Sequence, residues 1–305
     1  AQLNPEQVET WVSLAKARRA AGDLPQAIAS AEKAIHLAPE DIEPLLLSGE
    51  IALVASQPEL ARQRAQSALE LEPNHPGAVL ILSQIKAQSG HVTEALQFLE
   101  DALPMVAEPF DLLLERTRLI RKLQGPIPAL HELKTLAEQY PEEPRAQAEI
   151  ASALADAGQV DEAERAAQDS LLVQPDQPGL HLLLGRIQRT SGQLDQAVHH
   201  LSEAIRLNPR QVEAYLELGG VYQDRREYDQ SEKILLQATS LAPYDARPYY
   251  QAGMVAKDIK DYIKAETMLR KAAGLAPDDV NIRRHLAAII AINLVHNSQE
   301  ASIPQ

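Results

Sequence analysis

Two groups of side chains in this 305-residue chain could do chemistry. The first is His199-His200, with Glu203 one helical turn beyond. Neighbours on a helix point about 100° apart, so the two histidines cannot grip one ion together, while His199 and Glu203 share a face. A solvated helix face explains them more simply than a metal site. The second group is basic: Arg118, Arg121, Lys122, Arg145, Arg186 and Arg189, which could hold carboxylates. Cysteine is absent, which removes thiol nucleophiles, disulfides and zinc knuckles. The linear signatures of phosphate loops, metal-binding helices and nucleophile elbows are missing too. The expected chemistry is recognition, with no enzymatic turnover, no cofactor and no metal.

The elements that position these residues follow from a period. Prolines stand 34 residues apart at Pro39, Pro73, Pro141, Pro175, Pro209, Pro243 and Pro277, with Ala107 in the one gap. The register divides the chain into eight repeats: 8–41, 42–75, 76–109, 110–143, 144–177, 178–211, 212–245 and 246–279. Number each repeat from 1 to 34. Apolar or small residues at positions 4, 7, 8 and 11 then share one face of a first helix, and those at 20, 24 and 27 share one face of a second. Gly22, Gly90, Gly158 and Gly192 fall between the helices, where positive φ ends the first helix at little cost. Gly or Ala at position 8 and Ala at position 20 are expected where the paired helices come closest, so that a longer side chain would push them apart. One pair cannot bury both its faces, so pairs must stack, which gives a superhelix with a concave inner wall.

These residue types resemble the tetratricopeptide repeat. The first-helix pattern reads Trp11, Leu14, Ala15 in repeat one, Leu184, Gly185 in repeat six, Tyr215, Leu218, Gly219, Tyr222 in repeat seven and Tyr249, Ala252, Gly253 in repeat eight. The second-helix alanine recurs as Ala27, Ala61, Ala95, Ala129, Ala163, Ala197 and Ala265, with Ser231 the departure. The resemblance implies an all-α, right-handed solenoid of antiparallel helix pairs that binds a protein or peptide. It also implies that positions 2, 5, 9, 12 and 13 face inward. Repeat four departs most, with Arg116-Thr117 in place of Leu-Gly and Gly125-Pro126-Ile127-Pro128 opening its second helix, so looser packing is expected there.

Those inward positions carry the basic group named above, inside a body whose net charge is −14. A cation-lined concavity in an acidic body would draw an acidic segment. Beside it, Leu46, Leu53, Val54, Leu80 and Leu114 fall at inner positions and are expected to line an apolar groove, and Tyr250 falls there in repeat eight. The competing expectation is that the arginines pair with carboxylates of neighbouring repeats, such as Asp156. Family members that clamp chaperone C-terminal carboxylates use inner asparagines at positions 6 and 9, which these repeats lack. Nucleic acid is not expected as a partner of so acidic a chain.

The ends complete the reading. Residues 1–7 look like the tail of an upstream repeat, since Leu3-Asn4-Pro5 repeats Leu207-Asn208-Pro209. Residues 280–297 read as a capping helix whose Ile289, Ile292 and Val295 suit self-association, and 298–305 as a disordered tail. No run approaches 18 apolar residues, so no direct membrane insertion is expected, and the compartment is left open. Two further classes stay open: a recognition arm of a larger enzyme such as a glycosyltransferase, and a self-assembling structural protein.

Overall fold

The computed structural model describes residues 7–300, with side chains through residue 295. The described residues are helical with no strand. The first helices of the pairs are α1 (Val8–Ala20), α3 (Ile42–Val54), α5 (Pro76–Gln88), α7 (Phe110–Gln124), α9 (Pro144–Asp156), α11 (Pro178–Thr190), α13 (Val212–Asp224) and α15 (Ala246–Asp258). Their partners are α2 (Leu24–Leu37), α4 (Pro58–Leu71), α6 (Val92–Ala102), α8 (Pro126–Gln139), α10 (Val160–Val173), α12 (Leu194–Leu207), α14 (Tyr228–Leu241) and α16 (Tyr262–Leu275). A last helix, α17 (Val280–Glu300), follows without a partner. It runs three residues past the expected cap and into the stretch expected to be disordered; the residues before 7 and after 300 lie outside the description.

The chain forms two compact units, one ending at Ala163 and the other beginning at Glu164. Within each, successive first helices approach one another more closely than successive second helices do. Crowding on one side and splay on the other curve a stack toward its first-helix face.

The turns explain why the pairs form where they do. Position 15 takes a left-handed conformation at Gly22, Gly90, Gly158 and Gly192, with φ between 73° and 87°. Three repeats do the same with ordinary residues, Ser56, Arg226 and Lys260, at φ of 57°, 60° and 65°. In repeat four α7 runs on to Gln124, and the turn passes to Gly125 at φ 93°. Proline then opens α8, as it opens α4, α5, α9 and α11, at a first-turn position whose N–H has no helical acceptor. Where repeat three lacks its closing proline, α6 is short and a 3-10 turn, Leu103–Met105, replaces the ending.

The paired helices come close at positions 8 and 20, and a leucine occupies the space the core glycines leave. Gly219 lies against Leu235 at position 24 of its own repeat, where a Cβ would come within 2.6 Å of Cδ2; Gly253 faces Leu269 in the same way, at 2.9 Å from Cγ. Both leucines are fully buried, so the missing side chain lets a leucine fill the space between the helices. Ser231, the departure from alanine, donates its hydroxyl to the Gly219 carbonyl at 2.7 Å and so buries no unsatisfied group. In repeat four the pair opens: a cavity of about 410 Å³ between α7 and α8 is bounded by Leu113, Thr117 and the Arg116–Glu132 ion pair at 2.6 Å.

Position 4 carries a second recurring bond. Tyr215 donates to the Pro209 carbonyl at 2.9 Å and Tyr249 to that of Pro243 at 3.4 Å, each tying a first helix to the proline six residues before it. His181 occupies the same position, with Nε2 3.0 Å from the Pro175 carbonyl, so this nitrogen carries the proton. Its unprotonated Nδ1 then accepts from His200 Nδ1 at 3.0 Å. Histidine here replaces tyrosine in the repeat.

Candidate functional site

The structure pairs every arginine of the expected cationic wall. In the first compact unit Arg118 reaches Glu149 at 2.7 Å and Glu115 at 3.4 Å. Arg121 lies 3.3 Å from Glu149 and 3.6 Å from Asp156, and Arg145 meets Asp111 at 2.6 Å and Glu143 at 2.9 Å. In the second, Arg186 and Arg189 share Glu217 at 3.4 and 3.1 Å, and Arg189 also takes Asp224 at 2.7 Å. Burial works against the charge of Arg189, but the hydrogen bonds and charges of Asp224 and Glu217 outweigh it and hold the guanidinium above the ordinary arginine range.

These contacts form rungs between successive first helices. Arg19–Glu50, Arg118–Glu149 and Arg186–Glu217 span 31 residues each. Arg189–Asp224 and the Gln223–Asp258 hydrogen bond at 2.6 Å span 35. Asp111–Arg145 and Glu213–Arg247 span one period of 34. The wall is a ladder of cross-repeat pairs.

Three carboxylates in this ladder, Glu115, Glu149 and Glu217, stand at position 6, which the inward set omitted. Position 6 is one turn from positions 2 and 9 on a 3.6-residue helix, so the signal was present in the wheel. Their inclusion reverses the expected cationic excess: the wall is no longer a positive patch in an acidic body.

The apolar residues divide. Leu53 and Leu114 are buried, at 8% and 3% exposure, and serve the core; Leu46 and Leu80 are half-buried and pack against core clusters. The groove therefore presents less leucine than expected, because inner position 5 also faces the next first helix. Val54 stays 58% exposed on a cavity of about 380 Å³ lined also by Leu53, Gln84, Ala87, Gln88, Leu119 and Lys122 and by the Arg118–Glu115 ion pair. Lys122 is exposed there and forms no ion pair among the described residues. Tyr250 lies in the second compact unit, its hydroxyl 3.2 Å from His285 Nδ1, on a separate cavity bounded by α15 and α17.

The His199 and His200 rings meet edge to face, with centroids 5.1 Å apart, and no group of three or more metal-ligating side chains occurs among the described residues. No helix among them is long and apolar enough to cross a membrane.

Helix pairs of this geometry, with glycine at position 8 and proline at 32, define the class. Family models described as tetratricopeptide repeats match residues 52–109, 129–179, 212–245 and 246–279, and one described as TPR repeat matches 185–225. The chain is a tandem tetratricopeptide-repeat protein, an all-α solenoid of the class that serves as protein-interaction scaffolds. Among solved structures it resembles a chain of the APC/C hetero-tetramer Cut9-Hcn1, with a TM-score of 0.70 and 15% identity over 87% of this chain and 52% of that one. Yeast Tom70 gives 0.62 and 16%, over 90% of this chain and 59% of its own. A tetratricopeptide repeat protein from Parabacteroides merdae gives 0.54 and 18%, over 82% and 98%. These likenesses carry the fold alone, and the chain spans about half the length of the Cut9-Hcn1 chain. No curated protein matches it.

Proposed function

We propose that this chain is a non-catalytic scaffold that takes up a segment of a partner protein on the first-helix wall of repeats two to four. The observation that carries this reading is Lys122: a cation without a carboxylate, beside exposed Val54, on a wall whose arginines are all engaged. Covering the exposed 58% of Val54 with an apolar side chain contributes about 1 kcal/mol, and a carboxylate on Lys122 sets the register. The partner segment is apolar with one acidic group near it. This is a narrower demand than the broadly acidic ligand a free arginine patch would attract.

Photo-crosslinking tests it. A benzophenone amino acid at position 54 is expected to capture a defined protein in the native lysate, and Lys122→Glu to abolish the adduct. The same probe at Ile263, exposed on α16, is the control. Adducts that form equally at 54 and 263, or that ignore Lys122→Glu, would refute the reading.

A further inference from the structure

We infer that a notch between the N-terminal ends of α15 and α17 docks a basic protein segment by taking up an aromatic side chain. It lies wholly in the second compact unit and is independent of the groove at Val54 and Lys122. The connections α14–α15 and α16–α17 bound a cavity of about 630 Å³ whose apolar lining includes Tyr250, Leu275 and Ile282.

Tyr244 stands at its rim, 88% exposed. It occupies position 33, where the other repeats carry a charged residue or asparagine, as at Glu40 and Asp176. The repeat therefore needs no aromatic there, and Tyr244 packs on nothing that would explain it. A rigid aromatic beside an apolar concavity is the composition of an interface anchor.

Charge selects the partner. Arg247 is the one cation lining the notch among the described residues, and it is already held by Asp245 at 2.6 Å and Glu213 at 3.1 Å. Asp279 adds a further carboxylate, so the rim is net negative. Helix dipoles do not reverse this, because Asp245 and Asp279 already accept from the first amides, Arg247 N at 2.9 Å and Asn281 N at 2.8 Å. An acidic ligand would meet no uncommitted cation in the lining, whereas lysine or arginine beside the inserted ring finds Asp279, which pairs with no cation among the described residues. A small molecule fits less well than a segment of chain, since such ligands favour clefts that enclose most of their surface and Tyr244 stands clear of any wall.

A library of random linear peptides displayed on phage, selected against the full chain, tests this. Recovered peptides are expected to carry Trp, Tyr or Phe flanked by Lys or Arg. They should lose about tenfold or more in affinity for Tyr244→Ala, as for an interface hot spot, and keep it for Tyr244→Trp and Lys122→Glu. Circular dichroism of Tyr244→Ala should match that of the unmodified chain, since the residue is exposed. Failure to recover any peptide, recovery of acidic or non-aromatic sequences, or binding indifferent to Tyr244→Ala would each overturn the inference. Loss on Lys122→Glu alone would move the binding to the groove of repeats two to four and leave that reading standing without this one.

Discussion

The Arg189 guanidinium lies across Gly220, where a Cβ would collide with it, and from there it reaches Glu217 and Asp224 on either side. Gly220 adjoins Gly219, yet the two glycines answer different demands. Gly219 makes room for buried Leu235 inside its own pair; Gly220 makes room for a partly exposed side chain from the preceding repeat.

Substitution should separate the two. Gly219→Ala drives a methyl into a leucine that has nowhere to go and is expected to cost about 1–3 kcal/mol. Gly220→Ala meets the far end of a flexible arginine, which can swing aside. The loss of partly exposed ion pairs, about 0–1 kcal/mol, is then offset by about 0.5–1 kcal/mol of helix propensity. Chemical denaturation of both variants should show a large fall for the first and a change within about 0.5 kcal/mol for the second. Equal losses would mean that Arg189 is fixed as rigidly as the core.

Lys260 holds a left-handed conformation at φ 65° that four repeats give to glycine. A non-glycine residue there costs about 1–2 kcal/mol, while glycine gives back about 0.5–1 kcal/mol through its freer unfolded chain. Lys260→Gly should therefore stabilise the protein by up to about 1 kcal/mol, and Gly192→Ala should destabilise it by a similar amount, both read from denaturation midpoints.

The residues state the fold and the site unequally. The all-helical repeat and most of its turns were legible because each is a demand of the local backbone: Gly158 turns, Pro178 starts a helix, Leu235 fills a face. The sign of the wall could be read from the helical wheel once position 6 is counted, but the pairing could not, because it depends on which side chains meet across 28 to 35 residues of chain, as Arg189 meets Glu217 and Asp224. Leu114 shows the same limit. Its position faces inward on an isolated helix, but the packed stack buries it at 3%. Tyr244 carried a signal that pattern matching passes over: it departs from the repeat at a position where the repeat itself asks for nothing.

Arg118 is a structural residue whatever else it does. Its partners Glu149 and Glu115 have side chains only 15% and 9% exposed; Glu149 is shared with Arg121, but Glu115 pairs with Arg118 alone and depends on it for charge compensation. Removing a partner from a largely buried carboxylate costs more than removing one from a surface pair. Arg118→Ala is expected to lower stability by about 1–3 kcal/mol, and Arg118→Glu by more, since it sets a third carboxylate beside two. Glu115→Gln in the Arg118→Ala background should recover part of the loss. A cost for Arg118→Ala no greater than that of Lys16→Ala, whose pair with Glu43 is exposed on both sides, would show that Glu115 does not need the pair.

Acid should loosen repeat six first. Burial, then the neighbouring His181 and His199, push the His200 pKa down to about 4, against an opposing pull from Glu203. The folded state thus binds fewer protons than the unfolded chain between about pH 6.5, the ordinary histidine value, and pH 4. Stability is fully present above that window and falls as the pH drops through it. His200→Gln should therefore flatten the slope of stability against pH between 6.5 and 4, while slopes below pH 4, set by carboxylates, stay as they were. Histidine NMR titration of the unmodified chain would show one ring titrating near pH 4; a value near 6.5 for every histidine would remove the basis for the effect.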